Sequence, residues 1–129
     1  MVVVDSSVWI DFFKDQDNNK TKQLKKVLLT NDIVLGDIIL MEVLQGFKKD
    51  SGYKIAKIYL SQLYSVSFLN KNLALKSADN YRKLRKKGIT IRSTLDMIIA
   101  TYCIESKLPL LQKDRDFQLI ASELDLILL

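Results

Sequence analysis

Five carboxylates sit where the surrounding apolar pattern leaves them conspicuous. Asp5 directly follows Val2-Val3-Val4, and Asp114 and Asp116 lie just past Leu108-Pro109-Leu110-Leu111. Glu42 interrupts Ile38–Leu44, and Asp96 interrupts Leu95–Ala100. An ionised carboxylate buried without a partner is too costly to keep, so each needs a cation or dense hydrogen bonding. No regular arrangement of Lys or Arg supplies those partners. Oxygen-only ligands favour hard divalent ions such as Mg²⁺, Mn²⁺ or Ca²⁺ over zinc or copper. Such an ion activates water and neutralises charge at phosphorus, so the acids together point to phosphodiester hydrolysis. Each acid also has a plainer use on its own. Asp5 and Asp114 can cap the helices that follow them, with Asp116 completing a turn. Asp96 can favour a helix dipole, and Glu42 can face water at the edge of an apolar stripe.

The absence of histidine narrows the chemistry further. Ser-His-Asp and Cys-His hydrolases, imidazole zinc sites and histidine acid–base cleavage of RNA are all excluded. The single cysteine, Cys103, excludes a disulfide scaffold and reads as a core residue. With 129 residues, 48% apolar and 27% charged, the chain suits one domain spanning 1–129 with a real core. No apolar run approaches the roughly 18 residues of a membrane span, and Met1–Trp9 resembles no secretory signal. A cytoplasmic protein with no membrane contact is therefore expected.

The elements that must carry the acids follow from periodicity. Val2–Val4 and Ile33–Leu35 are short runs without alternation, as in strands buried on both faces of a parallel sheet. Tyr64–Leu69, Leu108–Leu111 and Leu124–Leu129 are further strand candidates, with Ile89 and Ile91 a brief extended segment. The proline at 109 must sit at its strand's start, where no ladder bond is needed. Helices are predicted from Val8 to Phe13, capped by Ser6 or Ser7, and from an opening at Asp17-Asn18-Asn19 to about Leu29. Others cover Ile38–Leu44 behind Asp37, and the stretch with Ile55, Ala56, Tyr59, Leu60 and Leu63. Asn70 or Asn72 opens a helix that ends at Gly88, and Ser93 or Thr94 opens one to Ser106 with Leu95, Ile98, Ile99 and Tyr102 on one face. A last short helix follows Asp114. This alternation predicts an α/β protein, an α/β/α sandwich around a mostly parallel sheet of four to five strands. Ligands of such sheets bind beyond the carboxyl ends of the strands, where Asp5, Asp114 and Asp116 fall.

Charge adds a second signal. The net charge is +5, and residues 65–129 carry eleven basic and seven acidic groups against nine and eight in residues 1–64. Arg82, Lys83, Arg85, Lys86 and Lys87 crowd one segment, with Arg92 between it and Asp96. Arg82, Arg85, Lys86 and Arg92 are candidate contacts to an RNA backbone, although cations at a helix end also complement its dipole. Ser6 and Ser7 can orient a reacting water or simply cap a helix.

Four motifs in order carry a family resemblance. They are Val-Asp-Ser-Ser-Val-Trp-Ile-Asp at 4–11, Glu42 in a helix, Ile-Arg-Ser-Thr-Leu-Asp-Met-Ile-Ile-Ala at 91–100, and Leu-Leu-Gln-Lys-Asp-Arg-Asp-Phe at 110–117. In this the chain resembles the PIN-domain ribonucleases and, among them, the toxins of VapBC-type toxin–antitoxin pairs, over essentially its whole length. The resemblance implies a Mg²⁺- or Mn²⁺-dependent endoribonuclease. Asp5, Glu42 and Asp96 match the main acidic positions, and Asp114 matches the fourth, with Asp116 near enough to share it. Asp5, Asp96, Asp114 and Asp116 are the implied metal ligands. Ser6 or Ser7 matches the small polar position after the first Asp. Gln112 departs from the family, which often carries Thr or Ser there. The resemblance also implies a homodimer and a cognate antitoxin, for which Phe12, Phe13 and Phe47 with Ile55, Tyr59 and Leu63 offer apolar grooves.

Two other readings use the same features. A Mg²⁺-dependent phosphotransfer or receiver-like domain also needs acids at strand ends, although no acid pair or late lysine of that kind is present. A non-catalytic RNA-binding module of the same fold would be marked by a missing acid, and none is missing.

Overall fold

The computed structural model describes all 129 residues. Its elements are β1 (Val2–Val4), α1 (Ser6–Phe13), α2 (Asn19–Thr30), β2 (Ile33–Gly36), α3 (Asp37–Gln45) and α4 (Asp50–Ser61), followed by β3 (Ser65–Val66), α5 (Lys71–Lys86), α6 (Thr94–Ser106), β4 (Leu110–Leu111) and α7 (Arg115–Glu123). The four strands pair in the order β3-β2-β1-β4, all parallel. Val2 and Val3 register with Ile33 and Val34 on one side, and Val3 and Val4 with Leu110 and Leu111 on the other. The helices form two packed groups, α1–α4 and α5–α7, bridged by contacts between α3 and α6. Right-handed crossovers put those groups on opposite faces of the sheet. The α/β/α sandwich expected from the sequence is the observed architecture.

The strand order turns back at β1: the chain runs outward through β2 and β3, then returns to add β4 on the other side. That reversal opens a crevice at the carboxyl ends of β1 and β4. Helix caps fix where the neighbouring elements start. Asn18, Asn70, Ser93 and Asp114 each accept from a backbone N–H of the following first turn. A cap of this kind contributes typically ~1 kcal/mol.

Several expectations are corrected. The cap of α1 is Asp5, not Ser6 or Ser7. The Tyr64–Leu69 run pairs only over Ser65–Val66, because the Phe68 N–H leaves the sheet to donate to the Asp37 carboxylate at 3.0 Å. Asp37 is the first residue of its helix, and Gly36 occupies the cap position. Gly36 is also a close approach: a Cβ there would run into the Phe68 ring. Ile89 and Ile91 form no strand, since Gly88 at φ +82° lets Ile89 bond back to Leu84 O at 2.9 Å and close α5. Leu124–Leu129 makes only an isolated parallel bridge, Leu128 to Leu110, rather than a fifth strand. The bond from Leu126 N to Leu124 O bends that segment before it can run alongside β4.

The core is one cluster of 25 buried apolar residues, with Trp9, Phe68 and Phe117 its largest members. Phe68 stacks on Tyr102 with ring centroids 3.9 Å apart. Helix α6 is central to it: every residue from Asp96 to Thr101 is buried, as is Cys103. The sequence pattern marks one apolar face, but α6 is covered almost all round, between α5, α7 and α3. Asp96 is therefore drawn inside by the packing of its own helix.

Candidate active site

Asp5 occupies the point where β1 gives way to α1. Its N–H donates to Leu111 O at 2.9 Å, extending the β1–β4 ladder by one step. Its Oδ2 accepts from the Ser7 N–H at 3.1 Å and the Ser7 hydroxyl at 2.5 Å. Its Oδ1 is buried and has no hydrogen-bond partner. Burial raises the Asp5 pKa, with the Ser7 bonds pulling the other way and Asp114 adding to the rise. Only 3% of Asp5 is exposed.

Glu42 projects from α3 half-buried, with Oε1 likewise buried and unpartnered. Its pKa is raised by burial and then by the Asp5 charge, while the Ser6 hydroxyl opposes the shift. Asp96 stands in the first turn of α6, where its N–H donates to Ser93 Oγ at 3.3 Å. Its pKa is pushed up to about 7, first by burial and then by Asp5, Asp114, Glu42 and Asp116. Asp114 is exposed and accepts from the Asp116 N–H at 3.0 Å as the cap of α7; Asp116 is half-buried. The five acids thus meet electrostatically at one crevice, although they come from three helices and two helix caps.

No basic side chain compensates them. The four ion pairs of the molecule are Lys22–Asp17, Lys76–Glu105, Lys87–Glu123 and Lys113–Asp11, all outside this set. Nor do the acids form a closed chelate, since no three of them converge on a single point. They lie near enough that the other four all raise the Asp96 pKa. That arrangement suits Mg²⁺-like ions, which commonly take one or two carboxylates and fill the remaining positions with water and substrate phosphate oxygens. The orphaned Asp5 Oδ1 and Glu42 Oε1 are acceptors that a hard cation or its waters would satisfy.

Ser7 holds Asp5 and Ser6 lies by Glu42, so both serines border the acids. Arg82, Arg85, Lys86 and Arg92 are exposed, and none pairs with an acid. Arg92 thus keeps its guanidinium free instead of reaching Asp96. Two features escape a reading of residue types. Gln112 is buried at the end of β4 with Oε1 unpartnered, one register step past the Val4–Leu111 pair and so level with Asp5. The available signal was its position immediately past a buried Leu-Leu strand. Asp11 is held by Lys113 at 2.5 Å and by Asn18 at 3.0 Å, which lowers its pKa and ties the end of β4 to α1. Cys103 is buried and free, with its thiol pushed up to about 12, as befits a core residue.

On the other side of α1, Phe12, Phe13, Ile55 and Tyr59 line a cavity of about 610 Å³ with Asp15, Asp17 and Lys25 at its rim. Phe47 packs edge-on against Phe13. This is the aromatic groove the sequence suggests, except that neither Phe47 nor Leu63 lines it. No helix is long and apolar enough to cross a membrane.

An α/β/α fold with uncompensated acids at its switch point defines a class, and comparison with protein families matches residues 2–123 to the PIN domain. The chain belongs to the PIN domain family. Within it, the chain is 26% identical over 123 residues to the VapC ribonuclease Mb1587 of Mycobacterium bovis and to ribonuclease VapC11 of Mycobacterium tuberculosis, covering 94% of this chain and 92% of each relative. Among solved structures it resembles VapBC2 from Rickettsia felis bound to promoter DNA, with a TM-score of 0.79 and 21% identity over 100% of this chain and 98% of that one. It also resembles Mycobacterium tuberculosis VapC20, a sarcin–ricin loop-cleaving toxin, with a TM-score of 0.66 and 15% identity over 96% of both chains. Membership in this family sets aside the receiver-like alternative.

Proposed function

We propose that the protein is a divalent-metal-dependent endoribonuclease, the toxin of a toxin–antitoxin pair, acting as one nuclease unit over residues 1–129. The observation that carries this is the set of five carboxylates at the switch point, four of which raise the pKa of Asp96, with no cation paired to any of them. Relatives along nearly the whole chain are VapC ribonucleases.

In this reading Asp5, Asp96, Asp114 and Asp116 would hold Mg²⁺ or Mn²⁺ between them, one or two carboxylates to an ion with water and phosphate oxygens completing its shell, and Asp114 is the exposed member. Such an ion would supply an acidified water and offset charge on the phosphate. Ser7 fixes the Asp5 carboxylate through Oδ2 and leaves Oδ1 without a partner. Glu42, its pKa raised by burial and by Asp5, is suited to accept and release a proton. Ser6, whose hydroxyl lies by Glu42, would orient a reacting water. The exposed Arg82, Arg85, Lys86 and Arg92 draw the RNA backbone toward the acids.

The aromatic groove of Phe12, Phe13 and Tyr59 offers an apolar seat to a segment of a cognate antitoxin, and the working unit is a homodimer. The reading carries with it a cytoplasmic location, where RNA and antitoxin are both met.

Purified protein should cut RNA internally with Mg²⁺ or Mn²⁺ and stop on addition of a chelator. Asp96→Asn should lower the rate on the order of 10²–10⁴-fold while circular dichroism stays unchanged. Undiminished cleavage by that variant, or cleavage indifferent to the chelator, would reject the assignment.

A further inference from the structure

A second cavity, of about 510 Å³, lies between α5 and the first turns of α6. Its volume falls within the usual range of ligand sites. Ala78 and Met97 give it apolar walls, and Tyr81 adds an aromatic ring. Arg82 and Arg85 stand exposed at its mouth, and neither enters an ion pair. The Arg85 guanidinium lies over the Tyr81 ring, 5.6 Å from its centroid.

Ser77 makes this more than an apolar groove. It lines the cavity, is only 7% exposed, and its hydroxyl has no hydrogen-bond partner. A buried helical serine ordinarily bonds the carbonyl one turn back. Asn80, the next polar residue along the buried side of α5, does find a partner in Thr101 at 3.1 Å. An unmet hydroxyl in a cavity with free cations at its mouth marks a place where a polar, planar and anion-bearing ligand completes the structure. Met97 directly follows Asp96, so the cavity wall and the acid share the first turns of α6.

We propose that this cavity receives one unpaired base of the RNA strand next to the phosphate being cut. Tyr81 and Met97 contact the base face, the Ser77 hydroxyl bonds its edge, and Arg82 and Arg85 hold the adjoining phosphates. Single-stranded RNA is recognised in this manner, with bases splayed onto aromatic or guanidinium planes and read along their edges. Ser77 is then a specificity-determining residue. The proposal rests on the nuclease reading above.

Two variants test it. Ala78→Trp fills the cavity from an exposed helical position, and Ser77→Ala removes the unmet hydroxyl. Cleavage ends would be mapped on a random-sequence RNA pool, and rates measured on single-stranded oligonucleotides with an abasic site at successive positions around the cut. Anisotropy of the same oligonucleotides on the Asp96→Asn background reads binding without turnover. The expected result is a base preference at one position flanking the cut that Ser77→Ala relaxes without lowering Tm. Ala78→Trp should lower kcat/KM at least tenfold on the intact strand but leave it unchanged on the strand that is abasic at that position. Cleavage with equal preference in all three proteins, or equal losses on intact and abasic strands, overturns the subsite and leaves the nuclease reading standing. If no protein cleaves RNA, the nuclease reading fails, and loss of the abasic-sensitive binding in Ala78→Trp decides the subsite alone. Absence of any RNA binding overturns both. A change of oligomeric state in Ala78→Trp, with cleavage sites unaltered, assigns the groove to a protein interface and overturns the proposal.

Discussion

A carboxyl with a pKa near 7 and no cation beside it is a source of instability as well as chemistry. Asp96 ordinarily titrates at 3.8 but in the fold near 7, so across that window the native protein binds more protons than the unfolded chain. Its contribution to stability is complete below the lower value and is lost as pH rises through the upper one. Burial is the larger cause, and Asp5, Asp114, Glu42 and Asp116 add to it. Asp5 and Glu42 are shifted in the same direction. The metal-free protein should therefore melt at progressively lower temperature from about pH 4 to above pH 7. Mg²⁺ or Mn²⁺ should recover most of that loss, and Asp96→Asn should flatten the slope. Thermal melts in chelator and in each ion, across pH, check all three; a metal-free Tm that rises with pH would contradict the picture. The acids themselves are legible in the sequence because a charged residue inside an apolar run is conspicuous. The role of Gln112 is less so, since its one local sign is its place just past a buried Leu-Leu strand.

Elements were readable where their signals are local and obscure where they depend on distant partners. Asn18, Asn70, Ser93 and Asp114 cap helices that begin where cap chemistry places them. Asp5 was harder, because three potential caps stand in a row and only the sheet decides between them. Once Asp5 N bonds to Leu111 O, its side chain is the one left facing the first turn of α1. Strand lengths failed for a related reason: whether Tyr64–Leu69 or Leu124–Leu129 pairs depends on what other segments offer. Phe68 illustrates this, as it ends β3 by donating to Asp37 and lays its ring against Gly36. Gly36→Ala should force that ring off its stack on Tyr102 and cost about 1–3 kcal/mol. Chemical denaturation would show it, and an unchanged midpoint would mean that the ring moves freely. Because Gly36 lies immediately before α3, the same variant should also shift Glu42 and reduce cleavage.

For the molecule as a whole, the acidic crevice and the basic segment must be weighed together. A site of five acids repels RNA, so capture depends on cations around it. Replacing Arg82, Lys86 and Arg92 by alanine should weaken RNA binding uniformly across sequences. For every phosphate left without its cation, the slope of log affinity against log salt should shrink by about 0.7. Binding titrations between low and moderate salt on the Asp96→Asn background measure this; an unaltered slope would mean that the backbone is held elsewhere.

The strand order has one more consequence. Because β4 returns to the edge of β1 after β2 and β3 are laid down, Asp5 and Glu42 are synthesised long before Asp96, Asp114 and Asp116 join them. On the nuclease reading, a nascent chain carries only Asp5 and Glu42 of that set until residue 96 has emerged. The acidic crevice is complete only once residues up to Asp116 have emerged, so on that reading a nascent chain should stay inactive until then.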